Sequence, residues 1–421
     1  MSTAKDIFKK HQAQTFPFPS CLEVESAKGS YITDVKGKAY LDFIAGVSSC
    51  TLGHSNPIII NAVKEQLDKY THVMVYGEYI QSPQYKLAEL LANNLPESLS
   101  TTYFTNSGAE AIEGAMKLAK RATGRSEIIS CQNAYHGSTQ GSLSIMGNEE
   151  HKTKYRPLLP NCNQIIYNDK SSLKNITKQT AAVVIELIQG ATGFITPKNN
   201  FLQQVREKCT ETGALLIFDE IQTGFRWSLG GAQEFFDVTA DFSAWGKAMG
   251  NGMPLGSISG KSEFMEVFED VFYSTTFGGE TLSLAAFNAT VLELQNKKAL
   301  DVIHEKGKNF QKEFKSRSNE IGLEIPVDGH PAKIRLQFLD ENNDESLIIR
   351  SLFCQENIQN GIFFWQGPIF HTYSHSDDDF EKTINSVEDS LKTLKHAIDN
   401  KEVEHKLKGK SMNRVLKFPK N

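Results

Sequence analysis

Short apolar runs alternate with segments of helical periodicity through the middle of the chain. Runs this short predict strands buried on both faces, and the helical segments between them predict crossovers, so the pattern indicates a mainly parallel sheet flanked by helices. One connecting helix is well marked, because Asn200 can cap it, its apolar face begins at Phe201 and Gly213 can end it. The predicted strands are Tyr103–Thr105, Ile128–Cys131, Gln164–Tyr167, Ala182–Leu187, Leu215–Asp219, Phe242–Trp245 and Ser257–Ser259.

The two ends of the chain show a different pattern. Near the N-terminus, Tyr31–Asp34 and Ala39–Asp42 flank a polar turn and predict a hairpin. A long helix starts near Leu282, and the last helix carries apolar residues from Phe380 to Ile398 at steps of four and three. Between these helices the pattern predicts a strand at 334–338, a helix at 347–355 and a strand at 362–365.

These patterns predict an α/β fold with two domains. The large domain, with the mainly parallel sheet, is expected at residues 53–290. A smaller α+β domain is expected to be built from both termini, residues 1–52 and 291–421. The basic tail from Lys401 is expected to wrap the surface rather than to bind a partner.

Composition limits the partners of the chain. A net charge of −5 over 421 residues and a pI near 6.2 give no reason to expect nucleic acid or an anionic membrane. The N-terminus has no apolar leader core and no apolar run approaches the ~18 residues of a spanning helix, so a cytoplasmic location is expected. The cysteines form no Cys-x-x-Cys pair, and we expect reduced, packed thiols rather than disulfides or a metal site: Cys21, Cys50, Cys131, Cys162, Cys209 and Cys354.

A carboxylate and a lysine follow two of the apolar runs. Asp219 ends one run, and Lys247 follows the next after a length of chain that fits one crossover between parallel strands. Pyridoxal phosphate (PLP) needs such a pair, because a lysine amine holds its aldehyde as a Schiff base and a carboxylate keeps its pyridine nitrogen protonated. Burial would lower the lysine pKa from its usual value near 10.4. Taken alone, the pair is weak evidence, because most such pairs are solvated or structural.

Two polar turns upstream can complete such a site. The Ser107-Gly108-Ala109 turn opens a helix, so its backbone N–H groups and hydroxyl can hold a phosphate, although Ser107 can also be an ordinary N-cap. Tyr135 and His136 form the second turn. An aromatic ring there can lie flat on a cofactor ring, or the pair can simply pack within the turn.

Six dispersed motifs together resemble the class III aminotransferases, which are PLP enzymes of fold type I. They occur in the order and spacing of that family from about Phe16 to the C-terminal end, and one motif alone would not identify it. The resemblance implies a fold-type-I PLP transferase. The motifs are Asn106–Ala111, Tyr135–Gly137, Glu186, Asp219–Phe225, Gly246–Lys247 and Ser274–Gly279.

The resemblance also implies roles for the matching residues. Lys247 and Asp219 would be catalytic, with Lys247 moving a proton between the substrate carbon and the cofactor. Thr276 would reach the phosphate of the neighbouring subunit, which implies a homodimer with shared sites. Glu186 would be costly to bury unpaired, which favours a site role over an ion pair with an unidentified base. The other implied contacts are Ser107, Gly108 and Ala109 at the phosphate, Tyr135 on the ring with His136 beside it, and Gln222 at the ring hydroxyl.

The resemblance is mixed at the level of subfamily. The N-terminal half resembles acetylornithine-type aminotransferases, whereas residues 224–233 and 373–377 resemble glutamate-1-semialdehyde aminomutase. The aminomutase's N-terminal Asn-Ser-Pro-Val-Arg stretch is replaced by residues 14–19 of this chain. The first interpretation is therefore an aminotransferase of the aminomutase-like branch.

The predicted substrate side departs from the family. Ornithine-type enzymes carry an Arg that clamps a substrate carboxylate where this chain has Ser138, and the C-terminal Arg of many relatives is absent around residues 370–372. Arg226 remains a candidate for holding a carboxylate, and bracing the cofactor loop is the alternative. Glu280 stands after Gly279 in place of the usual Asn, and is a third candidate for contact with substrate.

These observations favour an aminotransferase that moves an amino group from an amino-acid donor to an aldehyde or ketone acceptor. A 2,1-aminomutase of the glutamate-1-semialdehyde type is the first alternative. A non-catalytic PLP-binding relative is the second, and the presence of both Lys247 and Asp219 argues against it.

Overall fold

The computed structural model describes residues 3–15, 20–96, 98–190, 193–365 and 367–412. Phe16–Pro19, within the stretch that departs from the aminomutase, and the end of the basic tail from residue 413 lie outside this part of the chain. Two compact units are present. The smaller comprises the chain up to Val47, Thr51–Asn56 and the chain from Asp301, and the larger comprises Ser48–Cys50 and Pro57–Leu300. The division falls at Leu300, after the boundary that the sequence predicts at residue 290.

Strands occur in both units. Those of the smaller unit are β1 (Val24–Lys28), β2 (Tyr31–Asp34), β3 (Ala39–Asp42), β11 (Val327–His330), β12 (Lys333–Leu336) and β13 (Ile362–Phe363). Those of the larger unit are β4 (Thr101–Thr105), β5 (Glu127–Cys131), β6 (Cys162–Ile165), β7 (Thr180–Glu186), β8 (Leu215–Asp219), β9 (Phe242–Trp245) and β10 (Gly256–Gly260).

A seven-stranded sheet forms the centre of the larger unit, in the order β4-β10-β9-β8-β7-β5-β6. Neighbours from β6 to β9 pair in parallel, which confirms the predicted mainly parallel sheet. Only the pairings of β10 differ, because that strand runs antiparallel to both β9 and β4. The carboxyl ends of β7, β8 and β9 therefore meet at one edge of the sheet, where open α/β sheets bind ligands.

In the smaller unit, β1, β2, β3 and β13 form one sheet, and β11 pairs with β12 in a separate ribbon. The predicted hairpin is present as the antiparallel pair of β2 and β3. Strand β13 adds to β3 in parallel, so the sheet joins the N-terminal hairpin to a C-terminal strand. A core of aromatic and aliphatic side chains, including Phe43, Phe310 and Leu391, packs within this unit.

The helices follow the predicted periodicity. None of those in the described part of the chain is long and apolar enough to cross a membrane. They are α1 (Ala4–His11), α2 (Ala45–Ser48, left-handed at Gly46 and Val47), α3 (Pro57–Leu67), α4 (Ser82–Asn94), α5 (Gly108–Thr123), α6 (Gln140–Ser144), α7 (Glu149–Lys152), α8 (Phe201–Thr212), α9 (Gly231–Phe235), α10 (Ser262–Met265), α11 (Thr281–Asn296), α12 (Ala299–Glu320), α13 (Leu347–Gln359) and α14 (Asp377–Asp399).

Helix α5 packs on the sheet and fixes the predicted phosphate turn. Its buried face, from Ala111 to Ala119, lies against strand residues such as Ile258 in the core of the larger unit. Gly114 permits this approach, because a Cβ there would lie 2.5 Å from the Ile258 side chain. Burial of this face holds the N-terminus of α5 at the edge where the strands end.

Candidate active site

The strand ends bring the predicted catalytic residues to one edge of the sheet. Glu186 and Asp219 are the last residues of β7 and β8 and are register partners. Asp219 is in turn the register partner of Ala244 in β9, and Lys247 follows that strand after Trp245 and Gly246. Adjacent parallel strands thus deliver two carboxylates and a lysine to neighbouring positions.

Asp219 forms a buried pair with His136. The Oδ2 atom of Asp219 lies 2.7 Å from Nδ1 of His136, and Oδ1 accepts a hydrogen bond from the backbone N–H of Ile221 at 3.0 Å. The two residues are 6 % and 1 % exposed. Since an ionised carboxylate only accepts, the imidazole donates from Nδ1.

The turn that carries His136 is also held through Glu186. One oxygen of Glu186 accepts from the backbone N–H of Tyr135 at 2.9 Å, and the other accepts from Gly190 at 2.8 Å. Burial raises the pKa of Glu186, while His136 and the two backbone N–H groups lower it and Asp219 raises it further. The carboxylate therefore has two backbone amides as partners, in place of the side-chain base that the sequence left open.

Lys247 begins a short 3₁₀ turn, Lys247–Gly250, directly beyond β9. Burial lowers the pKa of its amine, and the charges of Asp219 and Glu186 oppose that shift. A lowered pKa leaves more of the amine neutral at a given pH, as a nucleophilic lysine requires. The backbone of Lys247 is left-handed, with φ of 45°, which for a residue other than glycine costs roughly 1–3 kcal/mol and is typical of functional sites.

The Ser107-Gly108-Ala109 turn packs against the loops that hold these residues. A Cβ on Gly108 would lie 2.5 Å from the side chain of Ile221, and a Cβ on Gly137 would lie 2.8 Å from that of Ala109. Ser107 is the N-cap of α5, and its hydroxyl accepts from the N–H of Glu110 at 3.3 Å. The capping role is therefore present, and the N-terminus of a 16-residue helix offers further N–H groups to an anion.

Tyr135 and Ser138 interact with one another at this edge. The side chain of Ser138 hydrogen-bonds to Tyr135, and burial raises the pKa of the Tyr135 phenol. Ser138 is exposed and Tyr135 is partly buried. Gln222, in the loop after Asp219, is also partly buried. All three lie on loops that follow the strand ends.

Thr276 lies on an exposed loop that is tied to the start of the phosphate turn. The amide of Asn106 donates to the carbonyl of Thr275 at 2.8 Å, and the N–H of Thr276 donates to the Ser274 hydroxyl at 3.3 Å. Thr276 itself is exposed and has a left-handed backbone, with φ of 53°. Its side chain is thus presented to the outside of the larger unit.

Arg226 and Glu280, two of the three substrate candidates, each have structural partners within the larger unit. Arg226 is fully buried, and its guanidinium donates to the carbonyl of Ser48 at 3.2 Å. Glu280 is the N-cap of α11, where its carboxylate accepts from the N–H groups of Leu282 and Ser283 at 2.9 and 2.8 Å. These contacts favour the bracing alternative for Arg226 and a capping role for Glu280.

Ile221 and Gly246 are parts of the site that sequence reasoning did not single out. A Cβ on Gly246 would lie 3.5 Å from both Gly108 and Ile221, so the three residues pack together. An apolar residue between the charged Glu220 and the polar Gln222 is the signal that could have identified Ile221.

Comparison with known proteins identifies the family of the chain. Residues 13–368 match the family Aminotransferase class-III. The acetylornithine aminotransferase of Halalkalibacterium halodurans is 38 % identical over 309 residues, which is 72 % of this chain and 78 % of that protein. The fold matches the ornithine aminotransferase of Toxoplasma gondii with a TM-score of 0.84 at 23 % identity, over 94 % of this chain and 96 % of that one. A transaminase solved with PLP bound matches with a TM-score of 0.83 at 22 % identity, over 92 % of this chain and 95 % of that one.

A fold-type-I α/β sheet with a lysine, two carboxylates and a helix N-terminus at one edge fits a PLP-dependent enzyme. The chain belongs to the class III aminotransferases. It moves an amino group from an amine donor to a carbonyl acceptor, and its cofactor is pyridoxal 5'-phosphate.

The residues of this chain fit that cofactor. An aldehyde needs an amine that is neutral in part, and burial lowers the pKa of Lys247. A pyridine nitrogen needs a carboxylate partner, and Asp219 is a buried carboxylate that His136 holds in place. When bound, PLP supplies an electron-accepting ring that stabilises negative charge on the substrate carbon.

Proposed function

We propose that Lys247 and Asp219 are the catalytic residues of this transaminase. The observation that carries the proposal is the buried contact of 2.7 Å between Asp219 and His136, at a strand end next to the one that leads to Lys247. Lys247 would hold the cofactor covalently and, once displaced by the substrate amine, would carry the proton to and from the substrate carbon. Asp219 would hold the proton of the ring nitrogen, and His136 would keep Asp219 oriented.

The proposed roles of the other cofactor contacts follow from where they lie relative to Lys247 and Asp219. Ser107, Gly108 and Ala109 would hold the phosphate at the N-terminus of α5, and Tyr135 would lie against the ring. Glu186 would act through Tyr135, since its carboxylate accepts the N–H of that residue. Gln222 would contact the ring hydroxyl from the loop after β8.

For the acceptor, we propose an aldehyde or ketone whose carbonyl end carries no carboxylate. A dicarboxylate is usually held by arginines, because the planar guanidinium makes paired hydrogen bonds to each carboxylate. Position 138 carries a serine that bonds to Tyr135, and Arg226 is buried with Ser48 as a partner. Neither side chain therefore offers an exposed cation to the substrate.

Acetylornithine is the second candidate for the amino substrate, because the similarity of 38 % over 72 % of the chain is to an acetylornithine aminotransferase. The two candidates differ in one measurement. We would compare kcat/KM for acetylornithine with 2-oxoglutarate against kcat/KM for a panel of aldehydes and keto-sugars with glutamate as donor. A tenfold or greater preference for acetylornithine would overturn the first candidate and support the second.

The same assay distinguishes a transaminase from an aminomutase. Transfer between two molecules releases one keto acid from the donor for each amine formed, whereas a mutase releases none. We expect stoichiometric keto acid. Absence of any half-reaction with every donor would instead support the non-catalytic relative.

We also propose a homodimer with shared sites. Large apolar side chains are exposed on the larger unit, and exposed patches of this kind mark interaction surfaces. The ring of Phe277, next to Thr276, lies 5.3 Å from that of His72, and the ring of Phe272 lies 5.9 Å from that of Tyr76. A second copy covering this patch would place Thr276 at an interface. The exposed members are Val73, Tyr76, Tyr79, Ile80, Phe272 and Phe277.

A cytoplasmic location completes the proposal. In the described part of the chain no cysteine forms a disulfide, which suits a reducing compartment. Fractionation of cells that express the protein tests it.

A further inference from the structure

A second carboxylate follows Asp219 and lies buried in the loop beyond it. Glu220 is fully buried. Its backbone N–H donates to the Ala244 carbonyl of β9 at 2.9 Å, so Glu220 still belongs to the pairing of β8 with β9. Successive side chains of a strand point to opposite sides. Asp219 accordingly contacts His136. Glu220 instead contacts the loop after β8 and the first turn of α9.

Three donors converge on the Glu220 carboxylate. Oε2 accepts from the N–H of Ala232 at 2.9 Å and from the hydroxyl of Thr223, and Oε1 accepts from the N–H of Gln233 at 2.8 Å. Gly231 makes the approach possible, since a Cβ there would lie 2.5 Å from Oε1. Each oxygen thus accepts one backbone N–H, and the Thr223 hydroxyl adds a side-chain contact at Oε2.

Hydrogen bonds also join this region, the loop after β8 and the first turn of α9, to β9, the strand that leads to Lys247. The hydroxyl of Ser243 in β9 donates to the side-chain oxygen of Gln233 at 3.2 Å. At the other end, the Gly224 N–H donates to the Glu220 carbonyl at 2.7 Å, and a Cβ on Gly224 would lie 2.5 Å from the ring of Trp245. The loop that carries Gln222 therefore packs between the ends of β8 and β9.

We propose that Glu220 is a positioning residue for the cofactor site. Its carboxylate joins the loop of residues 221–230 and the first turn of α9 to the end of β8, and so fixes where Asp219 and Gln222 meet the cofactor ring. The inference rests on the proposed roles of Asp219 and Gln222. Burial raises the pKa of Glu220 to about 7, partly offset by its three donors, while the like charge of Asp219 adds to the rise. A group so costly to ionise is retained where its hydrogen bonds are needed.

The test compares two Glu→Gln variants in the same stretch of chain. In Glu220→Gln, the amide nitrogen must face at least one of the three donors, so the loop loses its closure. Glu234→Gln is the matched control, because Glu234 is exposed and accepts one N–H, from Gly230 at 2.9 Å. We expect the dissociation constant for PLP to rise about tenfold or more in Glu220→Gln, and to stay within about twofold in Glu234→Gln.

The second readout is the absorbance band of the bound cofactor, which reports its surroundings and does not depend on turnover. We expect the band to shift in Glu220→Gln and not in Glu234→Gln. Thr223→Val removes one donor at nearly constant volume, and we expect a smaller shift in the same direction. This variant keeps the inference testable if Glu220→Gln fails to fold.

Asp219→Asn separates this inference from the proposed function. If Asp219→Asn weakens cofactor binding while Glu220→Gln and Thr223→Val bind PLP as the wild type does, the positioning role is wrong and the proposed site stands. A fall in melting temperature of the apoprotein without a change in affinity or absorbance would also overturn it. If Asp219→Asn binds PLP with unchanged affinity and absorbance, the proposed site itself fails.

Discussion

The Nδ1 atom of His136 lies 2.7 Å from Oδ2 of Asp219, within a pair that is almost completely buried. The imidazole fixes the orientation of this carboxylate at the end of β8, next to the strand that leads to Lys247.

Removing the imidazole should weaken the site through Asp219. In His136→Gln the charge-assisted bond is lost or weakened, which we expect to lower the affinity for PLP roughly ten- to a hundredfold. Equilibrium titration of the apoprotein with PLP measures the change. His396→Gln, on the exposed end of α14, is the control. Equal affinities in the two variants would contradict the role of His136.

Lys247→Ala should abolish covalent attachment of the cofactor and lower turnover by about a hundredfold to ten thousandfold, the usual contribution of a positioned acid–base group. Borohydride reduction of the loaded wild type, followed by peptide mapping, should place the adduct on Lys247. Lys392→Ala, on the exposed face of α14, should behave as the wild type. An adduct on another lysine would show that the assignment is wrong.

Covalent uptake of PLP should depend on pH through Lys247. Because burial lowers the pKa of this amine below its usual 10.5, the uptake rate should rise with pH and level off below pH 10.5. The charge of Asp219 opposes the shift, so Asp219→Asn should move the midpoint to lower pH. Stopped-flow absorbance over a pH series measures both midpoints. A midpoint that moves upward in Asp219→Asn would contradict this reasoning.

Complementation between subunits tests the shared site. If Thr276 completes the phosphate site of the partner, a hybrid dimer of Lys247→Ala and Thr276→Ala subunits has one site with both lesions and one with neither. Mixed subunits should then exceed either parent in activity. Reassociated Lys247→Ala subunits alone provide the baseline. Full activity of a monomer at low concentration, seen by sedimentation, would rule out the shared site.

The smaller unit should lose stability in acid through His375. This residue is fully buried, its Nδ1 accepts from the N–H of Thr372 at 3.0 Å, and burial lowers its pKa to about 4. Since the unfolded chain binds a proton near pH 6.5 and the folded chain does not until about pH 4, unfolding becomes easier as pH falls between those values, by about 3 kcal/mol. Denaturant unfolding at several pH values measures the loss. His375→Asn should flatten this dependence, and an unchanged slope would contradict it.

The buried strands could be predicted because the pattern that marks them, a short apolar run with clear ends, is local in the sequence. Leu215–Asp219 and Phe242–Trp245 match the strands residue for residue, since both are short apolar runs with clear ends. The strand predicted at Gln164–Tyr167 instead spans Cys162–Ile165, because pairing with β5 sets its register. The antiparallel direction of β10 has no local signal, since direction depends on how the chain returns to the sheet.

For the site residues too, some placements could be predicted from the sequence and others could not. The positions of Asp219 and Glu186 at strand ends follow from the sequence, because each closes an apolar run. The burial of Arg226 does not, since the partner that accepts its hydrogen bond, Ser48, is distant in the chain. The sequence suggests Glu280 as a substrate contact because it departs from the family pattern. In the structure, the carboxylate of Glu280 caps the N-terminus of α11.

The turn of residues 135–138 separates two tasks within one short piece of chain. The backbone N–H of Tyr135 donates to Glu186 at the end of β7, and the ring of His136 is hydrogen-bonded to Asp219 at the end of β8. Ser138, two residues on, is exposed and bonded only locally in this turn. If the turn has the proposed roles, a new side chain at position 138 would alter which molecule is accepted while the anchored half of the turn keeps the cofactor in place. Selectivity and chemistry would then be open to engineering one at a time.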